Sequence, residues 1–316
     1  MAPVVEKLLS GFLLSEGPHW DDKKQCLYFV DILKSTINRY VPSTKEHTWA
    51  KLDDHNISII IPVKDRENYF IVAVDRSVCL VNWDGQSKEV ANIETLVEIE
   101  EGTEHVLNDG KCDNTGRLWI GTMGASVKAL HNLKDGQGGF YSIANKTVQL
   151  HRDNVGCSNG LAFDYKLKKL YYNDSLKGTL DEYDFDIESG TISNLNHVLK
   201  NFGDDQSGDK VLVLDPEEFS GVCDGMTIDS EGNLWVVIIG SSKIVQIKPG
   251  KPATILQSVE FPTPQITSIA FGGPNLDELY VTSANFSSQP KGESPGCLFR
   301  VTGLNCKGIP ADVAVI

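Results

Sequence analysis

Four times along the chain an oxygen-bearing side chain stands just before a glycine and opens the same local pattern. The pairs are Glu16-Gly17, Asp109-Gly110 (with Asn108 before it), Asn159-Gly160 and Asp224-Gly225. Each is followed by an apolar stretch, a turn rich in Asp, Lys, Asn or Gly, and a second apolar stretch carrying Tyr or Trp. Gly160-Leu-Ala-Phe-Asp leads to Leu170-Tyr-Tyr-Asn, and Gly225-Met-Thr-Ile-Asp leads to Leu234-Trp-Val-Val. Two weaker copies, at Ser58-Ile-Ile-Ile and Thr267-Ser-Ile-Ala, complete a series anchored at positions 17, 58, 110, 160, 225 and 268. A repeat constrains a fold strongly, because equivalent residues of successive units come to equivalent points in space.

Within each unit the periodicity is that of strands. Ile71-Val-Ala-Val, Leu118-Trp-Ile-Gly and Leu279-Tyr-Val-Thr are short, β-branched or aromatic, and bounded by turn residues. Helical patterns of useful length are nearly absent. Six units of this size predict an all-β chain, a six-bladed β-propeller with four-stranded antiparallel blades, as one domain over residues 1–316. A sandwich leaves six similar units unexplained, and a solenoid needs shorter, more uniform ones. The N-terminal segment Val4-Val-Glu-Lys-Leu is expected to close the last blade as its outer strand. Two insertions interrupt the minimal unit. Gly124 to Gly139 is polar. Asn201 to Val222 is long and acidic, and reads either as a solvated loop or as a rim over the site.

Composition excludes several classes. The net charge of −14 opposes binding to nucleic acid or to an anionic membrane. Seven cysteines form no Cys-x-x-Cys pair and seven histidines form no ligand-spaced pair, which argues against a structural zinc site and for reduced thiols in a cytoplasmic protein. No apolar run reaches bilayer length. Leu8-Leu-Ser-Gly-Phe-Leu-Leu is broken by Ser10 and Gly11 and is read as the approach to the first repeat rather than a signal core. The expected partner is a small-molecule substrate, and the expected state is a monomer.

In a propeller the first strand of each blade lines the central channel. Glu16, Asn108, Asp109, Asn159 and Asp224 stand at its leading end in four blades, so their oxygens converge. Any single Asp-Gly or Asn-Gly pair is more often a turn, and it is the equivalent placement of four that shifts the balance. Carboxylates and amides without sulfur or imidazole suit Ca²⁺, Mg²⁺ or Mn²⁺. They are too few to fill the shell, which leaves positions for water or substrate. No phosphate loop and no Gly-x-Ser-x-Gly elbow is present. His19 and His105 near the channel rim read as packing residues. Cys157 and Cys223, beside two of the donors, read as small buried fillers.

Glu16-Gly-Pro-His-Trp, Leu107-Asn-Asp-Gly-Lys, Gly121-Thr-Met, Ser158-Asn-Gly-Leu, Asp224-Gly-Met-Thr-Ile-Asp and Thr267-Ser-Ile-Ala-Phe-Gly-Gly resemble the hallmark segments of one family. It is the senescence marker protein, regucalcin and gluconolactonase group. Gly273-Pro-Asn-Leu-Asp-Glu-Leu-Tyr-Val-Thr-Ser-Ala looks most like its insect, luciferin-regenerating branch. The resemblance implies one divalent cation, Ca²⁺ first, with Mg²⁺, Mn²⁺ or Zn²⁺ admissible, on Glu16, Asn159 and Asp224. It implies lactone hydrolysis, with Asp224 as general base, Asp109 near the metal through water, and Asn108 facing substrate. Two positions depart from the pattern. Val106 stands where the family has Arg, and Ser126 where the vertebrate proteins have a Glu that contacts sugar hydroxyls. At both, a polar sugar contact is lost. The resemblance therefore leaves three readings open: a metal-dependent lactonase with a less polar substrate, a luciferin-regenerating-like protein acting on oxyluciferin, and a non-catalytic calcium-binding protein.

Overall fold

The computed structural model describes residues 2–124, 133–200, 211–215, 217–286 and 291–316. Strands dominate it, with one 3-10 turn at Ile32–Lys34 among the described residues. Blade one comprises β2 (Ser15–Asp21), β3 (Cys26–Asp31), β4 (Thr36–Val41) and β5 (Glu46–Lys51). Blade two comprises β6 (Ile57–Pro62), β7 (Tyr69–Val74), β8 (Ser77–Asn82) and β9 (Asn92–Glu98). Blade three comprises β10 (Val106–Cys112), β11 (Leu118–Met123), β12 (Gly138–Ala144) and β13 (Thr147–Val155). Blade four comprises β14 (Ser158–Asp164), β15 (Lys169–Asp174), β16 (Thr179–Asp186), β17 (Thr191–Lys200) and the short β18 (Leu212–Val213). Blade five comprises β19 (Val222–Ile228), β20 (Leu234–Ile239), β21 (Lys243–Lys248) and β22 (Thr254–Glu260). Blade six comprises β23 (Ile266–Gly272), β24 (Glu278–Ser283), β25 (Cys297–Thr302) and, as its outer strand, β1 (Val4–Ser10).

This is the six-bladed propeller that the repeat predicts, ring closure included. Val4 pairs with Thr302 and Ser10 with Cys297, so the start of the chain completes the last blade. Each inner strand packs on that of the next blade, and β23 packs on β2. Blades covered on both faces need strands that are apolar on both faces, which is why Leu234-Trp-Val-Val-Ile is buried throughout. Outer strands are exposed and carry charges such as Glu94 and Glu98 on β9, which discourage edge-to-edge association.

The antiparallel pairing slips at the same place in all six inner strands. Two residues of the inner strand oppose one of its neighbour at 17–18, 58–59, 108–109, 159–160, 224–225 and 267–268. A bulge re-aims the positions it carries, so the ring presents six of them near one end of the channel. Chain 304–316 crosses the other end. Gly308 bridges Asp229 of blade five, Ala314 bridges Val63 of blade two, and the Val315 N–H donates to Gly116 O of blade three at 3.1 Å. That segment lacks strand periodicity, and the sequence reading assigns it no role.

The two insertions are only partly described. Residues 125–132, which include Ser126, lie outside the described residues, as do 201–210. The described end of the acidic insertion is packing. β18 lies parallel to β17 at the edge of blade four, and Leu214 and Phe219 are buried with Met226, Val236 and Ile238 of blade five.

Gly160 marks how closely the inner strands meet. A Cβ there would lie 2.5 Å from Asp224 O and 2.6 Å from Met226 N on the next blade. Backbone cannot yield as a side chain can, so Gly160→Ala should cost about 1–3 kcal/mol in urea unfolding. A loss below about 0.5 kcal/mol would show that adjacent inner strands separate freely.

Candidate metal centre

The bulges set a register that refines the repeat. The first bulge residue is Gly17, Ser58, Asn108, Asn159, Asp224 and Thr267 in blades one to six. Asn108, Asn159 and Asp224 are therefore true equivalents. Glu16 stands one residue before that position, and Asp109 is the second bulge residue. Alignment on glycine hides this offset, because the glycines serve different needs. Gly160 makes room for the neighbouring blade, whereas Gly17 adopts a left-handed backbone, φ +55°, that favours glycine.

Hydrogen bonds orient the two amides. Asn108 Nδ2 donates to Ser158 O at 2.7 Å and lies 3.4 Å from Asn159 Oδ1. Asn159 Nδ2 donates to Ser175 Oγ at 2.8 Å, which turns its carbonyl oxygen away from that contact. Asn159 and Asp224 are each 7 % exposed, while Glu16 and Asp109 are partly exposed. Among the described residues no three His, Cys, Asp or Glu side chains group as a metal site. The expected ligand set therefore depends on the Asn159 amide for its third side-chain donor.

One flank of these residues is apolar. Val106 is 5 % exposed and pairs with Met123, and Cys157 Sγ lies 3.9 Å from Met123 Sδ and 3.8 Å from Asn159 Nδ2. Leu14 and Ala284 join the same cluster, with Phe286 and Leu133 packed on it. Val106 thus offers hydrocarbon where an arginine fork would offer donors. His105 is tied to the rim, with Nδ1 2.6 Å from Glu100 Oε2, and Glu100 also accepts from Thr122 Oγ1 at 2.9 Å and the Tyr141 hydroxyl at 2.6 Å.

A model of the SMP-30/gluconolactonase/LRE-like region matches residues 14–285. The chain belongs to this family. Regucalcin of Danio rerio is 31 % identical over 307 residues, covering 94 % of this chain and 93 % of its own. Human regucalcin is 33 % identical over 302 residues, covering 93 % and 92 %. The solved luciferin-regenerating enzyme superposes with a TM-score of 0.89 at 39 % identity over 100 % of both chains. Regucalcin of Agrobacterium tumefaciens, at 21 % identity and a TM-score of 0.82 over 99 % and 98 %, shares the fold.

In this family member the electrostatics of the channel are strained. Burial pushes the Glu16 carboxyl well above the ordinary range, and repulsion from Asp224 and Asp109 adds to it. The Gly17 N–H, at 3.1 Å, and Thr267 oppose the shift. Burial also raises Asp224 well above its ordinary value, with Asp109 contributing. Asp109 is raised by burial, against the pull of Lys111 and of the Gly110 N–H at 2.8 Å. Lys111 is the cation the sequence reading passed over. Its spacing of two from Asp109 is the signal that it shares the channel. Its Nζ is engaged by two neighbouring blades, donating to Leu161 O at 2.8 Å and Met226 O at 2.9 Å. His19 is buried in the channel, and burial followed by Lys111 brings its pKa down to about 3, so it is neutral. Burial raises the Cys157 thiol, which stays protonated as a filler.

A carboxyl whose pKa is raised by folding contributes stability that is complete below its unfolded pKa and is lost as pH climbs through the raised value. For Glu16 and Asp224 that loss begins at the ordinary carboxylate range and extends upward. A bound divalent cation removes the repulsion in the ionised state. The Tm gain on adding Ca²⁺ to chelated protein should therefore grow as pH rises above the ordinary carboxylate range. A gain independent of pH would mean that these carboxyls do not meet the ion.

Proposed function

We propose that the chain is a divalent-metal-dependent hydrolase of the lactonase type, acting on a small molecule less polar than a sugar lactone. One observation carries the reading. Burial raises Glu16, Asp109 and Asp224, with Asp109 and Asp224 adding to the rise of Glu16 and Asp109 to that of Asp224, and the nearby ammonium, Lys111, already serves two backbone carbonyls. Buried like charges without a counter-ion cost several kcal/mol per ion, and a hard cation on Glu16, Asn159 and Asp224 offsets that cost. The donors are all oxygen, which favours Ca²⁺. Membership of a family that includes gluconolactonases supports the reaction type.

When bound, such an ion polarises a lactone carbonyl and lowers the pKa of an adjacent water. The chain's own groups supply the rest. Asp224 accepts the proton of the attacking water as the new C–O bond forms. It returns that proton to the ring oxygen as the lactone C–O bond breaks, and a hydroxy acid leaves. Asp109 holds the water in line. Asn108, its Nδ2 committed to Ser158 O, keeps Oδ1 to accept from a substrate hydroxyl. Val106, Met123 and Cys157 bind hydrocarbon and keep bulk water from that flank.

The test is a panel of aliphatic and sugar lactones assayed with and without Ca²⁺. The expected result is that kcat/KM rises with chain length and that chelation abolishes turnover. Asp224→Ala and Glu16→Ala should each lower Ca²⁺ affinity by at least about tenfold with the ring still folded. Lactone hydrolysis persisting in metal-free protein would overturn the reading. The apolar flank and the 39 % identity to luciferin-regenerating enzyme favour a second reading, action on oxyluciferin or a related heteroaromatic product. Turnover of oxyluciferin with no lactone hydrolysed would select it. Ca²⁺ binding with neither activity would mark a non-catalytic calcium-binding member.

A further inference from the structure

The tripeptide Asn173-Asp174-Ser175, where β15 ends, reaches two of the strands that carry the expected ligands. Asn173 Nδ2 donates to Asp224 O at 2.7 Å. Asp174 is fully buried and accepts from the N–H groups of Gly156 and Cys157, each at 3.1 Å. These are the residues three and two before Asn159. Ser175 Oγ accepts from Asn159 Nδ2 at 2.8 Å and donates to Cys223 O, the residue before Asp224, at 2.6 Å. Blade one shows the same clamp. Fully buried Asp31 accepts from Leu13 N at 2.9 Å and Leu14 N at 3.0 Å, three and two residues before Glu16. Both aspartates also accept from the N–H three residues on, Lys34 and Lys177, at 3.4 Å.

The direction of the Ser175 relay follows from valence. A backbone carbonyl only accepts, so the Ser175 hydroxyl hydrogen goes to Cys223 O. The hydroxyl oxygen must then accept, so the Asn159 group facing it is the NH₂ and not the oxygen. An asparagine held this way presents its carbonyl on the other side, as a cation requires. The same hydroxyl ties that amide to the backbone next to Asp224, so two ligands from different blades share one anchor.

We propose that Asn173-Asp174-Ser175 is the positioning element of the cation site, with Ser175 setting which face of the Asn159 amide meets the ion. This rests on the metal-site reading above and adds to it the residues that make the site a receptor for a cation. Asp31 does for Glu16 what Asp174 does for Asn159.

The experiment is calorimetric titration of Ca²⁺ into chelated wild type, Ser175→Ala, Ser175→Thr, Asn159→Asp and the double variant Ser175→Ala/Asn159→Asp. Ser175→Ala should weaken Ca²⁺ about 10–100-fold, the usual effect of losing a partner of a ligand, and Ser175→Thr should bind like wild type. Aspartate presents oxygen whichever way it turns, so in the Asn159→Asp background Ser175→Ala should change affinity less than about threefold. If Ser175→Ala alone fails to fold, Ser175→Cys, which keeps the volume but hydrogen-bonds poorly, takes its place. Wild type that binds no divalent ion overturns the metal reading. Wild type that binds while Ser175→Ala binds as tightly overturns the positioning role alone. An equal loss in both backgrounds makes Ser175 a packing residue and likewise overturns it.

Discussion

The closed ring that holds three carboxyls, Glu16, Asp109 and Asp224, on its inner strands is the constraint on which the site depends. Left to themselves, Glu16, Asp109 and Asp224 would hold protons or separate. Separation is blocked, because each rides on an inner strand locked between two neighbours in a ring with no free end. Lys111 adds positive charge along the axis, but its three hydrogens are largely directed at the carbonyls of blades four and five, so it braces the ring as much as it neutralises it. The outcome is a channel end where three carboxyls with raised pKa values sit on strands that cannot move apart.

The six bulges show how a repeat becomes a site. Each blade offers one re-aimed position, and the residues chosen there differ. Blades three, four and five place Asn108, Asn159 and Asp224, while blades two and six place the hydroxyls of Ser58 and Thr267. Ser58 Oγ is buried with no partner among the described residues, whereas Thr267 donates to Ser15 O. Ring symmetry supplies the geometry. Departure from symmetry supplies a polar side facing blades three to five and an apolar flank built on Val106, Met123 and Cys157.

Much of this was legible in the chain itself, because strand period, turn residues and a sixfold recurrence all act locally. The recurrence puts Asn159 and Asp224 at equivalent places on their inner strands, and the segment Val4-Val-Glu-Lys-Leu is expected on the last blade, where it lies. The register was not legible. A bulge changes which residue aims inward without changing composition, so Glu16 looked equivalent to Asn159 when it stands one place earlier. Residues that act across blades were hidden for a related reason. Ser175 and Asp174 look like an ordinary turn until β14 and β19 are seen beside them. The segment 304–316 carries no period at all, and its role is fixed by bridges to residues about 80 to 250 positions away.

The closure of blade six has a temporal meaning. Its outer strand is made first and its inner strands last, since β1 is Val4–Ser10 and β25 is Cys297–Thr302. During synthesis Glu16, Asn159 and Asp224 are all out of the ribosome before the strand that seals the circle exists. The nascent chain therefore carries all three side chains yet lacks the enclosure that sets their spacing. The convergence of these side chains belongs to the last act of biogenesis, and a message truncated within the final fifty codons yields a polypeptide with all three side chains and no closed ring.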